Sequence, residues 1–85
     1  MYNVIISDYA LKELDKIDFQ SVEKIFDSLK QLKSNPKPVG SIKLKGENAY
    51  RIRKGNYRII YEVDNKNKEV IIYHITQRKD VYKKK

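Results

Sequence analysis

Cysteine is absent from the 85-residue chain, which excludes disulfides, thiolate zinc sites and cysteine nucleophiles at once. A reducing compartment is the natural setting. Histidine is nearly as scarce, with His74 the single one, and a lone histidine in an apolar strand reads as a packed residue rather than a ligand. The acids are scattered through helices and turns. Metal-assisted phosphoryl transfer draws on two or three close carboxylates or histidines, so neither a metal site nor a cofactor is expected.

Long apolar runs are missing too. None approaches the ~18 residues of a membrane helix. The N-terminal MYNVIISDYALKEL meets Asp8 and Lys12 within a few residues, and shows neither the basic segment nor the cleavage site of a secretory leader. A soluble, cytoplasmic protein with no membrane partner is expected. A chain this short buries only roughly 60% of its unfolded surface, which suits a single domain over residues 1–85 and leaves no room for a deep cavity.

Positive charge is what the chain has in excess. Nineteen Lys and Arg against eleven Asp and Glu give a formal charge of +8, which predicts long-range attraction to polyanions. Lysines on the outer faces of helices are an ordinary solvated surface. Only their clustering can point to a function.

Tyr2 to Ile6 is rich in aromatic and β-branched residues and reads as a strand. Ser7 and Asp8 offer N-cap oxygens to a helix in which Ala10, Leu11, Leu14 and Ile17 recur at helical spacing. Asp18 offers a second cap, ahead of an apolar stripe of Phe19, Val22, Ile25, Phe26, Leu29 and Leu32 that is expected to face the core. SNPKP ends this helix, because Pro36 and Pro38 lack donor N–H groups and bias the preceding residues away from the α region. The two helices are expected to form an antiparallel hairpin.

After a loop from Asn35 to about Asn48, three strands are expected at Tyr50 to Lys54, Tyr57 to Asp64 and Glu69 to Thr76. Gly55-Asn56 suits a type II′ turn, and DNKNK suits the second turn. This hairpin pairs Tyr50 with Tyr61, Ile52 with Ile59 and Arg53 with Arg58. A one-residue slip would set apolar side chains against charged ones. One face then carries Tyr50, Ile52, Ile59, Tyr61 and Val63, and the other carries Arg51, Arg53, Arg58, Ile60 and Glu62. The last strand, EVIIYHIT, is apolar on both faces, as a well-covered strand would be. The expected fold class is α+β: an antiparallel sheet of about four strands with an N-terminal helical hairpin packed on one face. Lys83 to Lys85 read as a frayed basic tail.

Residues 51–58 hold Arg51, Arg53, Lys54 and Arg58 and no acid. Like charges facing one another across strands are destabilising, so three arginines on one face call for an anion. Planar guanidinium groups suit phosphate oxygens, which accept paired hydrogen bonds. Solvation, or pairing with Glu62 or Glu47, is the plainer alternative. Without a metal or a Cys or Ser nucleophile, phosphodiester cleavage remains possible where the substrate supplies the nucleophile, as RNA does with its 2′-OH. Arg78 and Tyr82 in the C-terminal ITQRKDVYKKK could reach the same face if the segment turns back over it.

The order of motifs is specific. A short strand, a helical hairpin ending in NPKPVG, then KLKG, YRIRKGNYRIIYEV and a terminal QRKDVY together resemble the RelE/ParE superfamily of bacterial and archaeal toxins over nearly the whole chain. The resemblance implies a β-α-α-β-β-β fold and, for the RelE branch, metal-independent cleavage of mRNA in the ribosomal A site by 2′-OH attack. It implies Tyr82 as the base, Arg78 as the acid or stabiliser of the leaving oxygen, and Arg58 as a transition-state clamp. Arg51 and Arg53, with Lys54, Lys43 and Lys45, are the implied phosphate-binding set. Many relatives carry histidine just before the terminal arginine, where this chain has Gln77, which transfers no protons at neutral pH. Tyrosine is a poor base at its ordinary pKa of about 10, so Tyr82 would need the surrounding cations to lower it.

The resemblance also implies a cognate acidic antitoxin, with a monomeric toxin assembling into a toxin-antitoxin hetero-oligomer. Such a partner would cover the arginines or displace the segment bearing Tyr82. A ParE-like inhibitor of DNA gyrase and a non-cleaving RNA-binding relative are the alternatives.

Overall fold

Ser7 turns the first strand into the first helix. Its Oγ accepts a hydrogen bond from the Ala10 N–H at 3.1 Å, satisfying an amide that has no partner within the helix. In the computed structural model, which describes residues 1–44 and 48–77, strand β1 (Asn3–Ile6) thus passes directly into helix α1 (Asp8–Asp15). Asp18 opens helix α2 (Phe19–Ser34) in the same way, its Oδ2 accepting from the Ser21 N–H at 3.0 Å. The contact with Ser21 holds the Asp18 carboxyl below its ordinary range. The Tyr2 N–H donates to the Lys33 carbonyl. The end of α2 therefore returns to the start of β1, as an antiparallel hairpin requires.

The chain continues through β2 (Ile42–Lys43), β3 (Ala49–Lys54), β4 (Tyr57–Asp64) and β5 (Glu69–Gln77). All strands lie in one sheet of order β1-β5-β4-β3-β2. The α+β class is as expected, with two corrections. The sheet has five strands rather than about four, because Ile42 and Lys43 pair with Arg51 and Tyr50, and two residues are too few to show a strand period. It is also mixed rather than antiparallel, since β1 pairs with β5 in parallel. Strands from the two ends of the chain meet there, and β5 lies inside the sheet between β1 and β4, which explains its apolar composition.

The β3–β4 register is the expected one, with Tyr50 opposite Tyr61, Ile52 opposite Ile59 and Arg53 opposite Arg58. Gly55 at the turn has φ +61°, a value L side chains rarely adopt. Tyr50, Ile52, Ile59, Tyr61 and Val63 are buried together with Ala10, Leu14, Ile25, Leu29 and Leu32 of the helices. The buried Tyr61 hydroxyl donates to the Pro36 carbonyl at 2.7 Å, tying the segment after α2 to the sheet. Burial pushes this phenol up to about 12.

The apolar stripes of the helices are narrower than expected. Phe19 is 76% exposed, and Phe26 and Leu11 are exposed as well. At about 100° per residue, Phe19 and Phe26 lie roughly 100–120° from the centre of the Ile25, Leu29 and Leu32 face. Leu11 is similarly turned away from the Ala10 and Leu14 face. Ile17 follows the end of α1 and still packs against the core.

Candidate nucleic-acid interface

Strand pairing sorts the basic residues into two populations. Arg51 pairs with Ile60, which pairs with His74, and Arg53 pairs with Arg58, which pairs with Thr76. Directly paired residues share a face and successive residues alternate between faces. Tyr50, Ile52, Ile59 and Tyr61 are buried beneath the helices, so these two rows stand on the opposite side of the sheet. Three guanidinium groups are brought together there, as the sequence pattern predicts.

Lys54 and Lys43 are not brought to that face. Lys54 pairs with Tyr57 and Lys43 with Tyr50, and both partners belong to the helix side. Lys54 lines a small cavity of about 120 Å³ with Ser21, Lys24 and Tyr57. Lys45, Arg78, Tyr82 and the terminal lysines lie outside the described residues.

The Nε atoms of Arg51 and Arg58 are buried and make no hydrogen bond among the described residues. A buried donor without an acceptor costs about 1–3 kcal/mol, and more when charged, so such atoms are rare in native folds. Both belong to cations on one face of the sheet. Glu62 shares this face, where its Oε1 accepts the Tyr73 hydroxyl at 2.9 Å. That hydrogen bond raises the Tyr73 phenol above its ordinary value.

The β5 strand departs from simple alternation beside this site. Ile60 pairs with His74 but Tyr61 pairs with Ile72, which leaves Tyr73 as an extra residue in a bulge. The bulge corrects the expectation of a packed histidine, for 45% of the His74 side chain is exposed, in the row that also holds Arg51. Its Nδ1 lies 3.9 Å from Glu13 Oε1, and its ring meets the Tyr9 ring edge to face at 4.9 Å. Glu13 Oε1 accepts the Ile75 N–H at 2.7 Å, closing the edge of β5 where β1 has ended. The buried residues fall at Val70, Ile72 and Ile75, where a spacing of two becomes three, a break that the unbroken apolar run of Val70 to Tyr73 hides in the sequence. Tyr9 carried no signal either.

No three histidine, aspartate or glutamate side chains among the described residues group at metal-binding spacing. No helix among them is long and apolar enough to cross a membrane.

Residues 4–82 match the model of the ParE toxin of the type II toxin-antitoxin system parDE. A Methanocaldococcus jannaschii protein that bears the name toxin RelE1 is 33% identical over 86 residues, covering 96% of each chain. In the crystal structure of the archaeal RelE–RelB complex from Pyrococcus horikoshii OT3, the matching chain superposes with a TM-score of 0.84 at 30% identity, covering 91% of this chain and 94% of that one. The isolated E. coli RelE toxin matches with a TM-score of 0.80 at 25% identity, over 98% of this chain and 93% of its own. A mixed sheet backed by a helical hairpin, an arginine face and these similarities agree: the chain belongs to the RelE/ParE family of type II toxin-antitoxin toxins.

Proposed function

We propose that this toxin is a ribosome-dependent endoribonuclease that cuts mRNA in the ribosomal A site without a metal. The observation that carries this reading is the pair of buried Nε donors of Arg51 and Arg58, which share one face of the sheet and make no hydrogen bond among the described residues. A phosphodiester placed there would satisfy both. Added negative charge at phosphorus would then meet donors already fixed in place, which is where electrostatic stabilisation of a transition state is strongest.

Attack by the 2′-OH needs no protein nucleophile. Its proton passes to Tyr82 acting as a phenolate, the 2′ oxygen bonds to phosphorus, and the 5′ oxygen leaves with stabilisation or a proton from Arg78. A cyclic phosphate remains. Tyr82 and Arg78 take these roles from the family resemblance, while Arg51, Arg53 and Arg58 take theirs from the face they share. In this reading Lys43, Lys45 and Lys54 contact RNA phosphates away from the scissile one.

The partner is a cognate antitoxin, as in the RelE–RelB complex of P. horikoshii. An acidic segment that folds on binding would complement the +8 charge of the chain and compete with RNA for the arginines. The toxin would be monomeric alone and hetero-oligomeric with its antitoxin.

The match to a ParE model favours one competing activity, inhibition of DNA gyrase by protein contact. Controlled expression in a bacterium, with primer extension on an abundant message, separates the two. Cuts within translated regions, lost in Arg58→Ala and in Tyr82→Phe, are the expected result. Growth arrest with intact messages and an induced DNA-damage response would replace the nuclease by the gyrase inhibitor.

A further inference from the structure

An aromatic pair that phosphate binding does not use stands beside the arginines. Tyr9 of α1 is 59% exposed, and its ring meets that of His74 at an interplanar angle of 78°. Tyr9 adds little to the packing of α1, which rests on the buried Ala10 and Leu14. In an edge-to-face pair, the ring that presents its edge keeps both of its own faces free.

His74 follows the extra residue of the β5 bulge, and its Nδ1 lies 3.9 Å from Glu13 Oε1, which is itself anchored on the Ile75 N–H. His74, Ile60 and Arg51 form one row across three strands, so about 10 Å separates the backbone positions of the histidine and the arginine. Arg58 faces Thr76, two residues beyond His74. The half-buried Ile60 lies between, an apolar floor flanked by cations on one side and rings on the other.

A nucleotide has the same layout, with an anion at one end, a sugar in the middle and a flat base at the other. Single-stranded RNA is held largely through unstacked bases on aromatic side chains, together with cations along the backbone. We infer that Tyr9 and His74 form a shelf for the base of a single-stranded RNA nucleotide whose phosphate lies on Arg51 and Arg58. This inference rests on the phosphate reading of the arginine face. It assigns both rings to positioning RNA, with no part in proton transfer.

The test uses the full chain and two short oligonucleotides that cannot be cut: a 2′-O-methyl oligoadenylate and an abasic chain of equal length with the same phosphates. Stacking on aromatic side chains predicts that wild type binds the adenylate about fivefold to a hundredfold more tightly than the abasic chain. The double variant Tyr9→Leu with His74→Leu keeps apolar bulk, and should bring that ratio close to one while affinity for the abasic chain is unchanged. His74→Phe, which restores a ring, should keep the ratio. Circular dichroism checks that each variant is folded.

A wild-type ratio near one, or a ratio unaltered in the leucine double variant, overturns the shelf. If abasic binding then still falls with salt and with Arg58→Ala, the phosphate reading stands without it. Binding of neither chain, or binding indifferent to Arg58, overturns both.

Discussion

Arg53 faces Arg58 directly across the β3–β4 pair, on the side of the sheet opposite the buried Tyr50, Ile52, Ile59 and Tyr61. Opposed cations weaken a strand pair. If the proposed function holds, a bound anion between the two strands would offset that repulsion. Inorganic phosphate should raise the melting temperature of the wild type. At about 100 times its Kd, a ligand that binds only the folded state adds about 2.7 kcal/mol, or about 10–20 °C in a domain of this size. Arg58→Met should lose most of that increment in a thermal-shift titration. Without phosphate it should melt no lower than wild type.

Tyr61 tests the scaffold behind the site. Its hydroxyl reaches the Pro36 carbonyl from a buried position, so Tyr61→Phe leaves that carbonyl without its donor. The expected loss is about 0.5–1.5 kcal/mol, read from urea denaturation. RNA cleavage should be unchanged, because the side chain lies on the helix side of the sheet.

Glu13 is the acceptor that closes the edge of β5. Glu13→Ala removes the partner of the Ile75 N–H and should cost about 1–3 kcal/mol. Hydrogen exchange at the Ile75 amide should accelerate more than at Ile59 in the neighbouring strand. Equal acceleration at both would mean that Glu13 acts only on global stability.

Acid should destabilise the fold through two carboxylates. Asp18 is held below its ordinary carboxylate range by its hydrogen bonds with Ser21, and Asp64 below the same range by the amide of Asn67. Groups whose pKa is depressed by folding add stability above the unfolded value and lose it as pH falls through the folded one. Melting temperature should therefore decline as pH drops below about 4. Asp18→Asn with Asp64→Asn should flatten the decline in that window.

The hairpin was legible in the sequence because two local signals agree there. Gly55-Asn56 specifies the turn, and the alternation of Tyr50, Ile52, Ile59 and Tyr61 with arginines permits one register only. The caps at Ser7 and Asp18 were legible because a side-chain oxygen beside its own helix needs no tertiary context. What was hidden depends on contacts between distant segments. The parallel pairing of β1 with β5 joins the two halves of the chain, and β2 exists only because Ile42 and Lys43 meet the edge of β3. Periodicity marked Phe19 and Phe26 as apolar without saying that they lie off the face that Ile25, Leu29 and Leu32 turn to the core. At the site, alternation placed the arginines correctly, while the bulge at Tyr73 reset the phase of β5 and brought His74 to the arginine face.

In the proposed reaction the arginine face holds the scissile phosphate while the RNA supplies its own nucleophile. Ribosomes programmed with a defined message, treated with wild-type toxin or Arg58→Ala, test it most directly when a second message carries a single 2′-deoxynucleotide at the cut position. The account predicts a cut ending in a cyclic phosphate on the first message and none at the substituted position of the second. It also predicts a rate at least about a hundredfold lower for Arg58→Ala, the usual loss when a transition-state donor is removed. Cleavage at the deoxy position, or an Arg58→Ala rate within a few-fold of wild type, would contradict it.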